Sequence, residues 1–261
     1  MIKAAFFDID GTLLSFRTHC VSDGTRRAFG LLHSMGVRTF LSTGRPWGLV
    51  PKMPLAFEGC VSMNGGLVFT LNAAGEPDQT LLRNPIADSD SEAWVHYARR
   101  HNICTMMFTE RGMMASQLNE TGRQIRDQLA FPMPQVVPIQ ALLGQQAYQI
   151  IALMPPERDR EVMEILPHCR LPRWHPAFTD IVAAHIDKAQ GLAALCRHFG
   201  IRQDETMAFG DGGNDIEMLQ WAGIGVAMGN ADECVKKKAD MVTTTVDDEG
   251  IEHAVNQLFN T

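Results

Sequence analysis

Short apolar blocks alternate along the chain with amphipathic stretches, and the opening block sets the pattern. Ala4, Ala5, Phe6 and Phe7 run straight into Asp8-Ile9-Asp10-Gly11-Thr12, which reads as a buried strand passing into a loop. Residues 22–35 then carry Ala28, Leu31, Leu32 and Met35 at helical spacing, with Ser22 or Asp23 as cap and Gly36 as stop. A second buried strand over 37–41 ends in Ser42-Thr43-Gly44-Arg45-Pro46. A third over 59–63 ends in Asn64-Gly65-Gly66 and leads into a hairpin with arms at 67–70 and 80–82. Strand, helix and strand at this spacing form a right-handed βαβ unit, and such sheets bind ligands beyond the carboxyl ends of their strands.

From about residue 83 to 184 the texture changes to one rich in Met, Gln and Pro. The pattern predicts a helix over 88–101, a strand over 104–109, a helix over 120–129, and a break at Phe131-Pro132-Met133-Pro134. A strand over 149–154, a helix over 157–166 and strand-like segments near Arg173 and over 178–182 follow. No strand here ends in acids, so this stretch reads as a separate α/β domain inserted into the first, giving 1–82 with 185–261 as one domain and 83–184 as the other. The first pattern then resumes. Asp187-Lys188 opens a helix that reaches Phe199 and stops at Gly200. A buried strand over 206–209 ends in Gly210-Asp211-Gly212-Gly213-Asn214-Asp215. A helix over 216–221, a strand over 224–228, a short helix over 232–238, a strand over 241–243 and a helix over 251–259 complete the chain.

Two strands that end in acids change the picture from fold to chemistry. Residues i and i+2 of a strand face one way, so Asp8 and Asp10 are expected close together just past the apolar run, where repulsion needs a cation or a proton to offset it. The same stretch also fits a strand end with a solvated Asp-Gly turn. Asp211 and Asp215 at a parallel strand end would raise the count to four carboxylates, a density suited to a hard cation. Mg²⁺ takes oxygen ligands and is commonly held by carboxylates plus a substrate phosphate. Thr43 is a phosphate-contact candidate and equally a helix cap. Lys188 is the cation placed to reach the cluster, unless it is a surface lysine.

Four motifs in order carry a resemblance: DxDGT at 8–12, a strand-end Thr at Thr43, a Lys at Lys188, and GDGxND at 210–215. The chain resembles the haloacid dehalogenase superfamily of phosphohydrolases. With TGRP at 43–46, MNG at 63–65 and the long insertion, it resembles more narrowly the Cof-type branch with a subclass IIB cap. The resemblance implies a Rossmann-like parallel-sheet α/β core with an inserted α/β cap that closes over the site and reads the leaving group. It implies Asp8 as nucleophile, Asp10 as acid/base, and Mg²⁺ held by Asp8, Asp211 and the Asp10 carbonyl with Asp215 close by. Thr43, Gly44, Lys188 and Asn214 would hold phosphoryl oxygens. Candidate readers of the leaving group are Arg45, Asn64, Gly65, Arg173, Trp174, His175 and Asp180. Of these, Trp174 also fits a core position and Arg173 a surface charge. The implied activity is Mg²⁺-dependent hydrolysis of small phosphorylated metabolites, above all hexose and related sugar phosphates. The alternatives are a phosphosugar mutase on the same scaffold or a non-catalytic phosphosugar sensor.

Composition narrows the partners. The net charge of −7, with no basic run longer than Lys236-Lys237-Lys238, argues against a nucleic-acid binder. Six dispersed cysteines without a CxxC pair suggest reduced thiols. No leader pattern precedes the first strand and no 18-residue apolar run occurs, so the expectation is a cytoplasmic protein without membrane partner, monomeric or a small homo-oligomer. The pairs Met106-Met107 and Met113-Met114 read as core filler or adaptable surface.

Overall fold

The computed structural model describes residues 1–110, 112–117, 120–128, 134–173 and 175–259. In chain order its elements are β1 (Ala4–Phe7), α1 (Asp23–Ser34), β2 (Arg38–Ser42), β3 (Gly59–Ser62), β4 (Leu67–Leu71), β5 (Pro77–Arg83), α2 (Asp88–His101), β6 (Cys104–Thr109), β7 (Gly112–Ala115) and α3 (Glu120–Gln128). There follow β8 (Gln135–Val136), β9 (Gln149–Leu153), α4 (Asp159–Ile165), β10 (Cys169–Arg170), β11 (Thr179–Ala183), α5 (Lys188–Phe199), β12 (Thr206–Gly210), α6 (Ile216–Trp221), β13 (Ile224–Ala227), α7 (Glu233–Lys236), β14 (Met241–Val242) and α8 (Gly250–Phe259). Two compact units result: Met1–Gly44 with Pro51–Arg83 and Asp187–Thr261, and Arg45–Val50 with Asn84–Ile186.

In the first unit one sheet runs in the order β14-β13-β12-β1-β2-β3-β4-β5. Every pairing from β14 to β3 is parallel, and the β3-β4 and β4-β5 pairings are antiparallel. The core sits on both faces of β1 because its four residues are all buried, as a central parallel strand requires. On one face Phe6 stacks on Phe40 at 4.9 Å between ring centroids. On the other, Phe7 lies 4.9 Å from Phe209 and 4.7 Å from Phe29. Offset aromatic packing of this kind adds to the burial of each ring. Helix α1 begins where Ser22 accepts a hydrogen bond from the Thr25 amide and ends before Gly36, whose φ of 74° turns the chain into β2.

The second unit holds a sheet in the order β10-β11-β9-β6-β7-β8, antiparallel except for β7-β8. Its core gathers Trp94, Val95 and Ala98 of α2 with Met107, Ile150, Ala152 and Ile181 of the sheet. The pattern over 104–109 and 88–101 reads as it folds. β7 and β8 have no counterpart in the reading, and the strand placed near Arg173 lies at Cys169–Arg170 instead. Residues 131–133 and Trp174, singled out above, lie outside the described residues. None of the six cysteines, all among the described residues, is in a disulfide. Among the described residues no helix is long and apolar enough to cross a membrane.

Candidate active site

Asp8 follows β1, Asp211 follows β12, and the two strands are parallel neighbours in register, Phe7 opposite Phe209. Residues so distant in sequence therefore emerge side by side at one carboxyl edge. Asp8 is buried, and the chain then turns tightly, with the amides of Leu13 and Leu14 donating to the Ile9 carbonyl and that of Gly11 to Leu14. Gly11 adopts φ 87°, and a Cβ there would stand 2.2 Å from Asp211 Oδ2. Only glycine lets this turn lie against the Asp211 carboxylate. The strand ends at Phe7, so Asp8 and Asp10 both lie in the loop that follows it; Asp10 is half-buried in the turn, near enough for its charge to act on Asp8, and is not one of the three carboxylates that draw tightest together.

That group is Asp8, Asp211 and Asp215, each with a carboxylate oxygen within 4.8 Å of the others. Lys188, the first residue of α5, is fully buried between two of them. Its Nζ donates to Asp8 Oδ1 at 2.6 Å and to Asp215 Oδ1 at 2.5 Å. The surface-lysine alternative is thereby removed. Asp187 caps the helix by accepting from the Gln190 amide, which fixes where the lysine leaves the backbone. Asp215 Oδ2 accepts from the amides of Asp211 and Gly212 at 3.0 and 2.8 Å, so its second oxygen braces the loop that carries Asp211.

The electrostatics follow from three carboxylates facing one ammonium. Burial pushes Asp8 up to about 7; Lys188 opposes the shift, and Asp215 and Asp10 add to it. Asp211 is pushed up to about 8, by burial first and then by the charges of Asp8 and Asp215. For Lys188 burial favours the neutral amine, but the Asp215 and Asp8 carboxylates outweigh it and hold the group above the usual lysine range. Fully ionised, the cluster carries two uncompensated negative charges. An all-oxygen donor set with that deficit fits a hard divalent cation, whose charge would balance it.

Two further side chains orient Asp211, and neither was among the candidates read from sequence. Thr12 Oγ1 donates to Oδ1 at 3.0 Å. Asn230 Nδ2 donates to Oδ2 at 3.2 Å and to the Gly11 carbonyl at 2.9 Å, while its Oδ1 accepts from the Val246 amide. The signal existed: β13 is another parallel strand on this edge, and Met228-Gly229-Asn230 follows it as the glycine-rich loops follow β1 and β12.

Thr43 is buried after β2, its amide donating to the Val61 carbonyl and its carbonyl accepting from Asn64. It caps no helix, since the short 3₁₀ turn Trp47–Leu49 starts from Pro46. Asn214 Nδ2 donates to Asn64 Oδ1 at 2.9 Å, and Gly44 lies against the same pair. Asn64 thus engages a neighbouring protein side chain, where a leaving-group contact was expected. Gly65 packs on the Asp187 carbonyl. Arg45 groups with the second unit and donates to the Leu49 carbonyl.

In the second unit Arg173 is also reassigned. Its guanidinium forms a two-pronged pair with Asp159 at 2.9 and 2.6 Å and donates to the carbonyls of Met154, His175 and Phe178. A guanidinium so committed holds chain segments together, because its donors are taken up within the protein. His175 stacks on Phe178, and Asp180 is buried on β11 opposite Ile151.

A parallel sheet with two acid-bearing strand ends and a buried lysine between their carboxylates defines the class. The chain belongs to the haloacid dehalogenase-like hydrolases, whose family model matches residues 5–255. The sugar phosphatase BT4131, of HAD subclass IIB, superposes with a TM-score of 0.91 at 35% identity over 98% of each chain. Phosphatase BT1666 from Bacteroides thetaiotaomicron does so with a TM-score of 0.88 at 34% identity, over 98% of this chain and 95% of that one. A Bacillus subtilis relative, 5-amino-6-(5-phospho-D-ribitylamino)uracil phosphatase YcsE, is 41% identical over 97% of this chain and 94% of its own. The α/β core fold and the phosphatase class of this protein are those of the family.

Proposed function

We propose that this phosphatase is a Mg²⁺-dependent phosphomonoester hydrolase of small phosphorylated metabolites, with hexose and related sugar phosphates as the preferred class, working through an aspartyl-phosphate on Asp8. The observation that carries the reading is the buried Lys188 ammonium bridging Asp8 and Asp215 with Asp211 alongside. Asp8 attacks phosphorus in line, the Asp8–phosphorus bond forms, and the bond to the leaving oxygen breaks. Asp10, more exposed than Asp8 and beside it in the turn, gives its proton to the leaving alcohol and then takes one from water as that water displaces phosphate from Asp8. Thr43, Lys188 and Asn214 bind the phosphoryl oxygens, and Lys188 favours the ionised form of Asp8, partly offsetting the pull of burial. Asp8, Asp211 and the Asp10 carbonyl would hold the Mg²⁺, with Asp215 behind them. The ion, when bound, neutralises the carboxylates and the charge on the phosphoryl group.

The substrate class is supported by the relatives' own substrates, since a sugar phosphate and a phosphoribityl compound both place phosphate on a polyhydroxylated carbon chain. The domain from about residue 83 to 184 is the proposed determinant of the leaving group. Asp8→Asn is expected to abolish phosphate release while leaving the protein folded, as its circular dichroism would show. Turnover retained by that variant, or insensitive to chelation of divalent cations, would refute the mechanism. Phosphorus NMR on a sugar 1-phosphate separates hydrolysis from the mutase alternative: free phosphate is expected, and accumulation of the 6-phosphate would favour phosphoryl return to sugar.

A further inference from the structure

The turn Met63–Gly65 has a backbone that its residues adopt reluctantly. Met63 and Asn64 are both fully buried and both left-handed, with φ 51° and 55°, and Gly65 follows at φ 97°. Successive non-glycine residues in that region store strain, which persists only where the surroundings impose it and which gathers at functional sites. The contacts of this turn explain what imposes it. The Asn64 amide donates to the Thr43 carbonyl at 3.1 Å, and the Asn64 side chain accepts from Asn214 Nδ2 at 2.9 Å. A Cβ on Gly44 would stand 3.3 Å from Asn64 Nδ2, so the loop after β2 rests on the same amide. A Cβ on Gly65 would stand 2.4 Å from the carbonyl oxygen of Asp187, the residue that caps α5 immediately before Lys188. One strained turn therefore touches the segments that carry Thr43, Lys188 and Asn214.

We propose that Asn64 is a positioning residue for phosphoryl binding, holding the Asn214 amide in a fixed orientation from the strained Met63–Gly65 turn. The inference rests on the reading of Asn214 as a phosphoryl ligand. An asparagine amide left free rotates about its last torsion. With one Nδ2 hydrogen directed at Asn64, the rotation is stopped and the second hydrogen has a single direction in which to point. Asn64 suits the task because asparagine is among the few residues that visit the left-handed region, and it carries an uncharged acceptor.

The test is a double-mutant cycle on kcat/KM and on the affinity for inorganic phosphate, using the full chain. Asn64→Gly suits the positive φ of this position and keeps the amide that bonds Thr43 while removing the side chain with its acceptor, so the variant is expected to fold. The expected loss is roughly tenfold in both quantities, the scale of one buried hydrogen bond. N214A should lose at least as much, and N64G/N214A should be no worse than N214A alone, because Asn64 acts through Asn214. Additive losses would overturn the inference, as would a wild-type N64G beside an impaired N214A. A wild-type phosphate affinity in N214A would instead overturn the reading of Asn214 as a ligand. Should N64G prove unstable, side-chain amide nitrogen relaxation of Asn214 in the wild-type chain carries the test: a rigid amide is expected, and an amide that rotates freely would overturn the inference.

Discussion

Asp211 illustrates how one carboxylate is made useful by its neighbours. Thr12 and Asn230 each donate to a different oxygen of it, and Gly11 leaves room for it to lie against the first turn. Groups that orient a metal-binding carboxylate typically change metal affinity by about 10–100-fold when removed. Thr12→Val and Asn230→Ala are each expected to weaken divalent-cation binding in that range, read directly by Mn²⁺ titration of the substrate-free protein. Binding unchanged in both variants would mean that Asp211 needs no orientation. The residues named from the motifs and the residues found differ here for a physical reason. A motif shows which acids are present; which hydroxyl or amide reaches them depends on a contact across 199 positions for Thr12 and 19 for Asn230.

Elements carry these side chains only as well as their ends are anchored. The cap at Asp187 fixes the first turn of α5 and with it the exit of Lys188. Asp187→Ala is expected to cost about 1 kcal/mol, seen as a fall of roughly 2–4 °C in melting temperature. In the second unit the Arg173 guanidinium ties the segment before β11 to Asp159 at the start of α4. Its removal leaves Asp159 and several carbonyls without their donor. Arg173→Ala should destabilise that unit by about 2–3 kcal/mol, visible as faster amide hydrogen exchange in β9 and β11 with exchange in β1 and β12 unchanged. Most elements were legible from local periodicity, α2 and α6 to the residue. β7 was not: Gly112-Met113-Met114-Ala115 has no alternation of its own and becomes a strand by pairing with β6. β10 likewise exists because Cys169 and Arg170 pair with β11, ending three positions before Arg173.

At the scale of the whole molecule, the site stores a pH dependence. Asp8 and Asp211 titrate in the folded protein at about 7 and about 8, against 3.8 for an unperturbed aspartate. Well above pH 8 both are ionised folded and unfolded, and the folded state bears the full cost of their burial and mutual repulsion. As pH falls from about 8 toward 5 the folded state takes up protons that the unfolded chain does not, so these groups add stability on acidification. The metal-free protein should therefore melt at a higher temperature near pH 6 than near pH 8.5. A divalent cation competes with those protons, so the rise in melting temperature on adding Mg²⁺ should be larger at pH 8.5 than at pH 6. A cation effect independent of pH across that range would show that these carboxylates do not bind it.

By itself, the order of apolar blocks, glycines and acids determined the α/β core and the strand ends that bear Asp8, Thr43 and Asp211, and the resemblance of the motifs at those ends implied the phosphohydrolase class. Each of these is written within a few consecutive residues, where hydrophobic periodicity and turn chemistry act. Only the tertiary structure decided that Lys188 lies buried between Asp8 and Asp215, that Asp211 and Asp215 rather than Asp10 draw tightest round Asp8, that Arg173 bonds within its own unit, and that Asn64 and Asn230 bond Asn214 and Asp211. Such contacts join positions up to 219 apart, and the order and register of the strands bring them together, which no local stretch of chain encodes.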